Sequence, residues 1–359
     1  MLKFVAAAST ALLMANASAA FAETDPAAIA EAKEFVAAAS KTTGEWPGPT
    51  ASPPIAKDKS IVIISCHQAS NCAMDSAGAL EAAEAVGWKG SIVDGKGDVA
   101  LYNASIRTAV NSGISGIIAI GLPPALIQDG MRYAHDAGVP IINGTEIAGP
   151  EDTFAASVDR ELAGQGEQLA KWMIADSNGT AKAVLIRADE FPAVKLRQDT
   201  VAQVFETCAD CKILDSVNLT VSQGANPSYM QQFVQSIVSR FGDELEYIVV
   251  PYGTLDGLIV PALRAAGRDD VKIVSYDGNG QQVQLCRDGQ VSAVAATMMT
   301  WSGWANVDQL NRVFNGEAPA EQKIPGFLAT KENCNKDGLA EQAYDLDFRS
   351  HYRSIWGLK

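Results

Sequence analysis

The sequence predicts an α/β fold of two doubly wound lobes, and three observations carry that prediction. From Ser60 onward, short β-branched runs alternate with longer stretches of helical periodicity. The helical stretches of the first series end near a glycine, the residue that closes helices in the left-handed conformation. The alternation runs through two successive series of similar layout without visible sequence repetition. Strand, helix and strand in this order implies right-handed crossovers and parallel sheets. With 359 residues, 47% of them apolar, the chain is long enough for two cores.

The elements follow in order. Residues 1–22 have the three-part form of a secretory signal, with Lys3, an apolar run over 4–14 and a small-x-small site at Ala20-Phe21-Ala22. A lead segment, 23–57, combines an Ala-rich helix opened by Pro26 with a stretch (GEWPGPTASPP) whose four prolines preclude regular structure; Trp46 within it is expected to pack on the first lobe. The first series places strands at 60–65, 90–94, 116–121 and 139–144, with helices over 74–87, 98–112 and 123–138 between them. The second places strands at 154–158, 183–187, 213–217, 247–250, 272–276 and 291–296. Its helices fall near 160–175, 192–208, 227–241, 256–267 and 281–288, and the first crossing between lobes is expected near Gly149-Pro150-Glu151-Asp152.

Charge and cysteine content narrow the function. Net charge is −14, and loss of Lys3 with the signal moves it to about −15. Such a chain repels phosphate backbones and anionic lipid surfaces, so no nucleic-acid partner is expected. Past the signal, no segment approaches the roughly 20 apolar residues that span a bilayer. Six cysteines in an exported chain imply disulfides. Among the fifteen possible pairings, short spacing favours Cys66 with Cys72 and Cys208 with Cys211, which leaves Cys286 with Cys334. The alternative for Cys208 and Cys211, a zinc half-site or redox pair, lacks a second pair at metal-ligand spacing.

In parallel sheets the loops after the strands collect ligand-facing groups. Here they offer Ser65-Cys66-His67-Gln68, Gly121-Leu122-Pro123, Asn143-Gly144-Thr145-Glu146, Arg187 to Phe191, Tyr252-Gly253-Thr254 and Tyr276 to Asn279, with Thr300-Trp301-Ser302-Gly303-Trp304 after the last strand. Amides, hydroxyls, carboxylates, an arginine and aromatic rings suit a small polyhydroxyl ligand. No phosphate-cradling glycine loop follows the first strand, and no nucleophile elbow is present. No cofactor or metal is therefore expected. Paired carboxylates for glycoside hydrolysis remain open, because Glu146, Glu190 and Asp277 could face one cleft. So does a nucleophilic Cys66 beside His67, should the Cys66–Cys72 bridge not form.

The stretch Val271 to Gly280 (VKIVSYDGNG), followed by Asp288-Gly289-Gln290-Val291-Ser292-Ala293, resembles the closing part of type I periplasmic sugar-binding proteins, the ribose-binding group that serves ABC importers. Ala137-Gly138-Val139-Pro140-Ile141-Ile142 and Leu263 to Gly267 share the likeness, which covers roughly 59–330, and Trp46-Pro47-Gly48-Pro49-Thr50 resembles a subgroup. The resemblance implies two Rossmann-like lobes joined by a three-crossing hinge: 58–157 plus 299–323, and 158–298 plus 324–359. It places Asp277 at the family's sugar-binding aspartate, Arg197 at an arginine opening a second-lobe helix, Ser65 at a first-strand polar residue and Thr297 near a hinge position. The chain departs from the ribose-type pattern at Asn71-Cys72 and at Thr145-Glu146, so ribose itself is not implied.

The expectation is a periplasmic, monomeric receptor that binds a neutral sugar or polyol and presents it to an ABC permease by hinge closure. Its expected contacts are Ser65, His67, Gln68, Asn71, Glu146, Phe191, Arg197, Tyr252, Asp277 and Trp301. A secreted glycosidase and a sensory binding protein docking to a receptor are the alternatives.

Overall fold

The computed structural model describes residues 24–41, 45–68, 71–149, 153–158, 160–334 and 346–358. The secretory signal and Pro150-Glu151-Asp152 lie outside the described residues.

Two sheets form the centres of two lobes. The first contains β1 (Ser60–Ser65), β2 (Lys89–Asp94), β3 (Gly116–Ile120), β4 (Ile141–Asn143) and β5 (Ala156–Ser157), all parallel, in the order β2-β1-β3-β4-β5. The second contains β6 (Lys182–Arg187), β7 (Lys212–Asn218), β8 (Tyr247–Val249), β9 (Lys272–Asp277), β10 (Ala293–Thr297) and β11 (Gly326–Thr330), in the order β11-β10-β9-β8-β6-β7. Only β11 is antiparallel to its neighbour. β-Branched runs such as Ile61-Val62-Ile63-Ile64 sit in the interior because helices cover both faces of a parallel sheet.

The helices are α1 (Pro26–Ala39), α2 (Cys72–Ala85), α3 (Val99–Asn111), α4 (Gln128–Asp136), α5 (Leu162–Asp176), α6 (Pro192–Phe205), α7 (Val221–Gly224), α8 (Pro227–Phe241), α9 (Asp256–Ala265), α10 (Gly280–Arg287), α11 (Met299–Phe314) and α12 (Phe348–Ile355). On the first sheet, α3 and α4 cover one face through Tyr102, Ile106 and Met131, while α2 and α11 cover the other. On the second, α1, α5 and α6 pack one face and α8, α9 and α10 the other. Helices α2 and α11 approach backbone to backbone. A Cβ on Gly78 would stand 2.4 Å from the Thr300 carbonyl oxygen, and one on Gly303 would stand 2.4 Å from the Ala79 nitrogen. Glycine at both positions is what permits the contact.

The structure differs from the sequence reading at several points. Residues 156–157, which open the second strand series yet lie within the 58–157 bounds of the first lobe, pair with β4 and complete the first sheet, so the first crossing falls after them and not near residues 149–152. The stretch from Thr300 to Trp304 is the start of α11 and not a strand-end loop. The tail, assigned to the second lobe, ends on the first: α12 packs on α11, and Arg349 pairs with Glu81 of α2. The lead segment does the reverse. It starts with α1 on the second lobe and runs to the first, where Ser52 donates to Asp308 and the Ala56 nitrogen to Asn311. The disulfides are Cys66–Cys72, Cys208–Cys211 and Cys286–Cys334.

Candidate ligand-binding site between the lobes

The carboxyl ends of both sheets face a cavity of about 400 Å³, in the size range of small-molecule sites. Its floor is polar and buried. Asp277 ends β9 with φ +91°, a left-handed conformation that costs a non-glycine residue energy and concentrates at functional positions. Its carboxylate accepts from Arg197 Nη1 (3.1 Å), the Gly253 nitrogen (3.1 Å) and, across the cleft, the Asn71 side-chain amide. The Asn279 side-chain amide donates to Asn71 Oδ1 at 2.8 Å, so Asn71 of the first lobe is gripped by two residues of the second. The backbone after Asp277 is held by Gln282, whose Oε1 accepts from the nitrogens of Gly278 and Asn279 and whose Nε2 donates to Asp256 and Ser275.

Two more polar links cross the cleft. Glu146, in the turn after β4, accepts from the Ala193 nitrogen at the start of α6, where the helix terminus carries partial positive charge. Asn143 fixes that turn by bonding the Glu146 backbone on both sides. Arg160, ahead of α5, donates to Asp75 of α2 at 3.2 Å and to the Thr145 carbonyl at 3.5 Å. The lobes therefore meet over the cleft in a closed arrangement. Among the described residues, Nε of Arg160 and Nε of Arg197 are buried without a hydrogen-bond partner.

The wall nearest β1 is built on the Cys66–Cys72 bridge. Tyr102 donates its hydroxyl to the Cys66 carbonyl, and Gly121 (φ +65°) passes beside the sulfurs; a Cβ there would lie 2.5 Å from Cys72 Sγ. The disulfide occupies the space a side chain would need.

Of the expected contacts, His67, Asn71, Glu146, Phe191, Arg197, Tyr252 and Asp277 line the cavity. Ser65, Gln68 and Trp301 do not. Ser65 is fully buried between β2 and β3, so the last strand residue points inward and only the loop after it reaches the cleft. Gln68 turns toward β2, its backbone nitrogen bonding Asp94. Trp301 is sandwiched between Trp46 and Phe348, at ring distances of 4.8 and 5.5 Å. Sequence reasoning missed Asp75, Arg160 and Tyr102; Thr145, offered there within a strand-end loop, was not among the expected contacts. The signal for Asp75 was a lone acid in the small-residue helix start Cys72 to Ala79; Arg160 carried none beyond its place at a crossing.

Burial dominates the electrostatics. It pushes Asp75 up to about 6 despite the opposing Arg160, Glu146 up to about 7 against the Ala193 nitrogen and both arginines, and Asp256 up to about 8 against Gln282 and Ser275. A carboxyl with a raised pKa keeps its proton in the folded chain after the unfolded chain has lost it. Its stabilising contribution is complete below the unfolded value and is lost as pH climbs through the folded one. The melting temperature is therefore expected to fall from about pH 5 to about pH 8, each group contributing up to about 1.4 kcal/mol per pH unit within its window. Asp256 has the widest window, so Asp256→Asn should flatten the upper part of the curve. A melting temperature that climbs with pH over this interval would contradict the burial of these groups.

Two lobes that close on a cleft, with buried polar groups contributed by both, define a protein that captures a small ligand by enclosure. The chain belongs to the periplasmic binding protein domain family, whose model matches residues 61–318. It is a binding protein and not an enzyme, so the glycosidase alternative is set aside. A curated relative, a xylitol-binding protein of Mycolicibacterium smegmatis, is 21% identical over 244 residues, 66% of this chain and 67% of the relative. An ABC transporter solute-binding protein from Agrobacterium vitis with bound allitol superposes with a TM-score of 0.70 at 19% identity, covering 78% of this chain and 97% of that one. One from Bacillus halodurans with bound myo-inositol gives 0.71 at 18% identity, covering 82% and 100%.

Proposed function

We propose that this protein captures a neutral sugar or sugar alcohol in the periplasm, as a monomer, and presents it to an ABC permease in the closed form. The observation that carries the reading is the buried Arg197–Asp277 pair, clamped from the opposite lobe by Asn71. Charged hydrogen-bonding groups fixed in this way favour hydroxyls that donate and accept. Ligand charge is constrained as well. Among the described residues, the lining acids Asp75, Glu146, Glu190 and Asp277 outnumber the lining arginines Arg160 and Arg197, so a sugar acid or sugar phosphate would add an anion to a lining already rich in carboxylates. Tyr252, Phe191 and Tyr102 supply rings for the C–H faces of such a ligand. The ligands of the similar proteins, xylitol, allitol and myo-inositol, point to the same class. The secretory pattern of residues 1–22 and the three disulfides support the location.

A thermal-shift screen over pentoses, hexoses, sugar alcohols and cyclitols tests the reading. A true ligand at a hundred times its dissociation constant adds about 2.7 kcal/mol, which moves the melting temperature by several degrees. A flat response across the whole panel would overturn the proposal.

A further inference from the structure

The cavity joins a charged, buried floor to an exposed apolar lip. Asp75, Glu146, Arg160, Arg197 and Asp277 on its floor are each less than one-tenth exposed. The exposed large hydrophobic side chains among the described residues are Val99 (38%), Leu126 (37%) and Ile147 (37%), and the first two line this cavity. Buried Val194, Leu255 and Met299 and exposed Glu190 also line the cavity. Val99 and Leu126 are also held together. The side-chain amide of Asn103 donates to the carbonyls of both residues, at 3.1 and 2.8 Å, and its Oδ1 accepts from the Gly130 nitrogen at 2.8 Å. One asparagine thus ties the start of α3, the turn before α4 and α4 itself into a fixed apolar lip. From the opposite lobe, half-buried Leu258 and exposed Ala225 line the same cavity.

We propose that the ligand is amphiphilic: a polyhydroxyl head on the charged floor, joined through a glycosidic or ether oxygen to an alkyl or aryl group that lies between Val99, Leu126 and Leu258. The inference rests on the sugar or polyol reading of the floor. Continuity of the lip with the floor in one cavity argues for a single ligand that touches both. Apolar surface left exposed beside such a floor gains when a substituent covers it.

The test is a calorimetric titration with a panel of free pentoses, hexoses and sugar alcohols, each beside its phenyl glycoside or phenyl ether. For at least one head group, the phenyl derivative is expected to bind about tenfold or more tighter than the free compound. In the double variant V99S/L126S the ratio of the two affinities should fall towards one. Both side chains are exposed, so an unchanged melting temperature would show that the variant folds. Free compounds that bind while every phenyl derivative binds equally or more weakly would overturn the amphiphilic ligand and leave the sugar reading standing; the lip would then serve closure of the lobes. A derivative that binds tighter but keeps its advantage in V99S/L126S would overturn the assignment to this lip. Failure of both series would overturn the inference together with the reading of the floor.

Discussion

Asp277→Ala is expected to raise the dissociation constant for the best compound of the screen by at least tenfold, and by about a hundredfold where the ligand bonds Asp277 directly. A hydrogen bond to a charged group contributes about 1.5–3 kcal/mol, and each 1.4 kcal/mol is a factor of ten. The carboxylate has three partners in the closed form, and their losses differ in kind. Arg197, itself buried, loses its counter-charge, at a cost of about 3–5 kcal/mol for a broken buried pair. The Gly253 nitrogen loses its acceptor. Asn71 loses a contact that bridges the lobes, so the closed form is weakened even before ligand contacts are counted. Asn71→Ala removes only the last of these and should give a smaller effect. Asp277→Asn keeps the volume and one acceptor oxygen, which tests whether charge or shape carries the affinity. Circular dichroism and the melting temperature establish that each variant is folded. Affinity of folded Asp277→Ala within tenfold of wild type would remove Asp277 from the ligand site.

The position of Asp277 was legible because a strand-end rule applies to it. Parallel strands buried on both faces are written as apolar runs, so Lys272–Asp277 stands out, and the residue at its carboxyl end faces the cleft. The same rule finds Glu146 and, through the loop before α6, Phe191. It fails at Ser65, where the strand's last side chain is covered by its two neighbours, and it cannot see Asp75 and Arg160. Those two reach the cleft from a helix face and from an inter-lobe segment, and only the relative placement of the lobes brings them within 3.2 Å. Strand β11 escaped for a related reason. It is a short antiparallel edge strand entered after the inter-lobe return from α11, outside the strand–helix rhythm that marks the others. The disulfide pairing, by contrast, follows from spacing alone for the two short loops.

The same comparison sets the second large effect, at Trp301. Thr300-Trp301-Ser302-Gly303-Trp304 reads as a loop when its polar and glycine residues are weighed, yet Trp301, Trp304 and Ala305 fall at i, i+3 and i+4, one face of a helix whose residues 299–312 are all buried. In the structure Phe348, Trp301, Trp46 and His351 form a continuous stack with interplanar angles of 7 to 11°. The stack ties together α11, the lead segment and α12, three stretches far apart in sequence. Beside it, Trp304 stacks on Trp356, and Asp308 accepts from Ser52, Gln322, Arg312 and Trp356. Trp301→Ala is therefore expected to cost about 3–5 kcal/mol of stability, the range for truncating a large buried aromatic, with the loss of the lead segment and tail as ordered layers on α11. Ligand affinity below the lowered melting temperature should stay within about threefold of wild type, because the ring does not line the cavity. Denaturant unfolding and calorimetric titration of the same variant measure the two quantities separately. A collapse in affinity with stability intact would return Trp301 to the ligand wall; the opposite pattern assigns it to the seam that holds both chain ends to the first lobe.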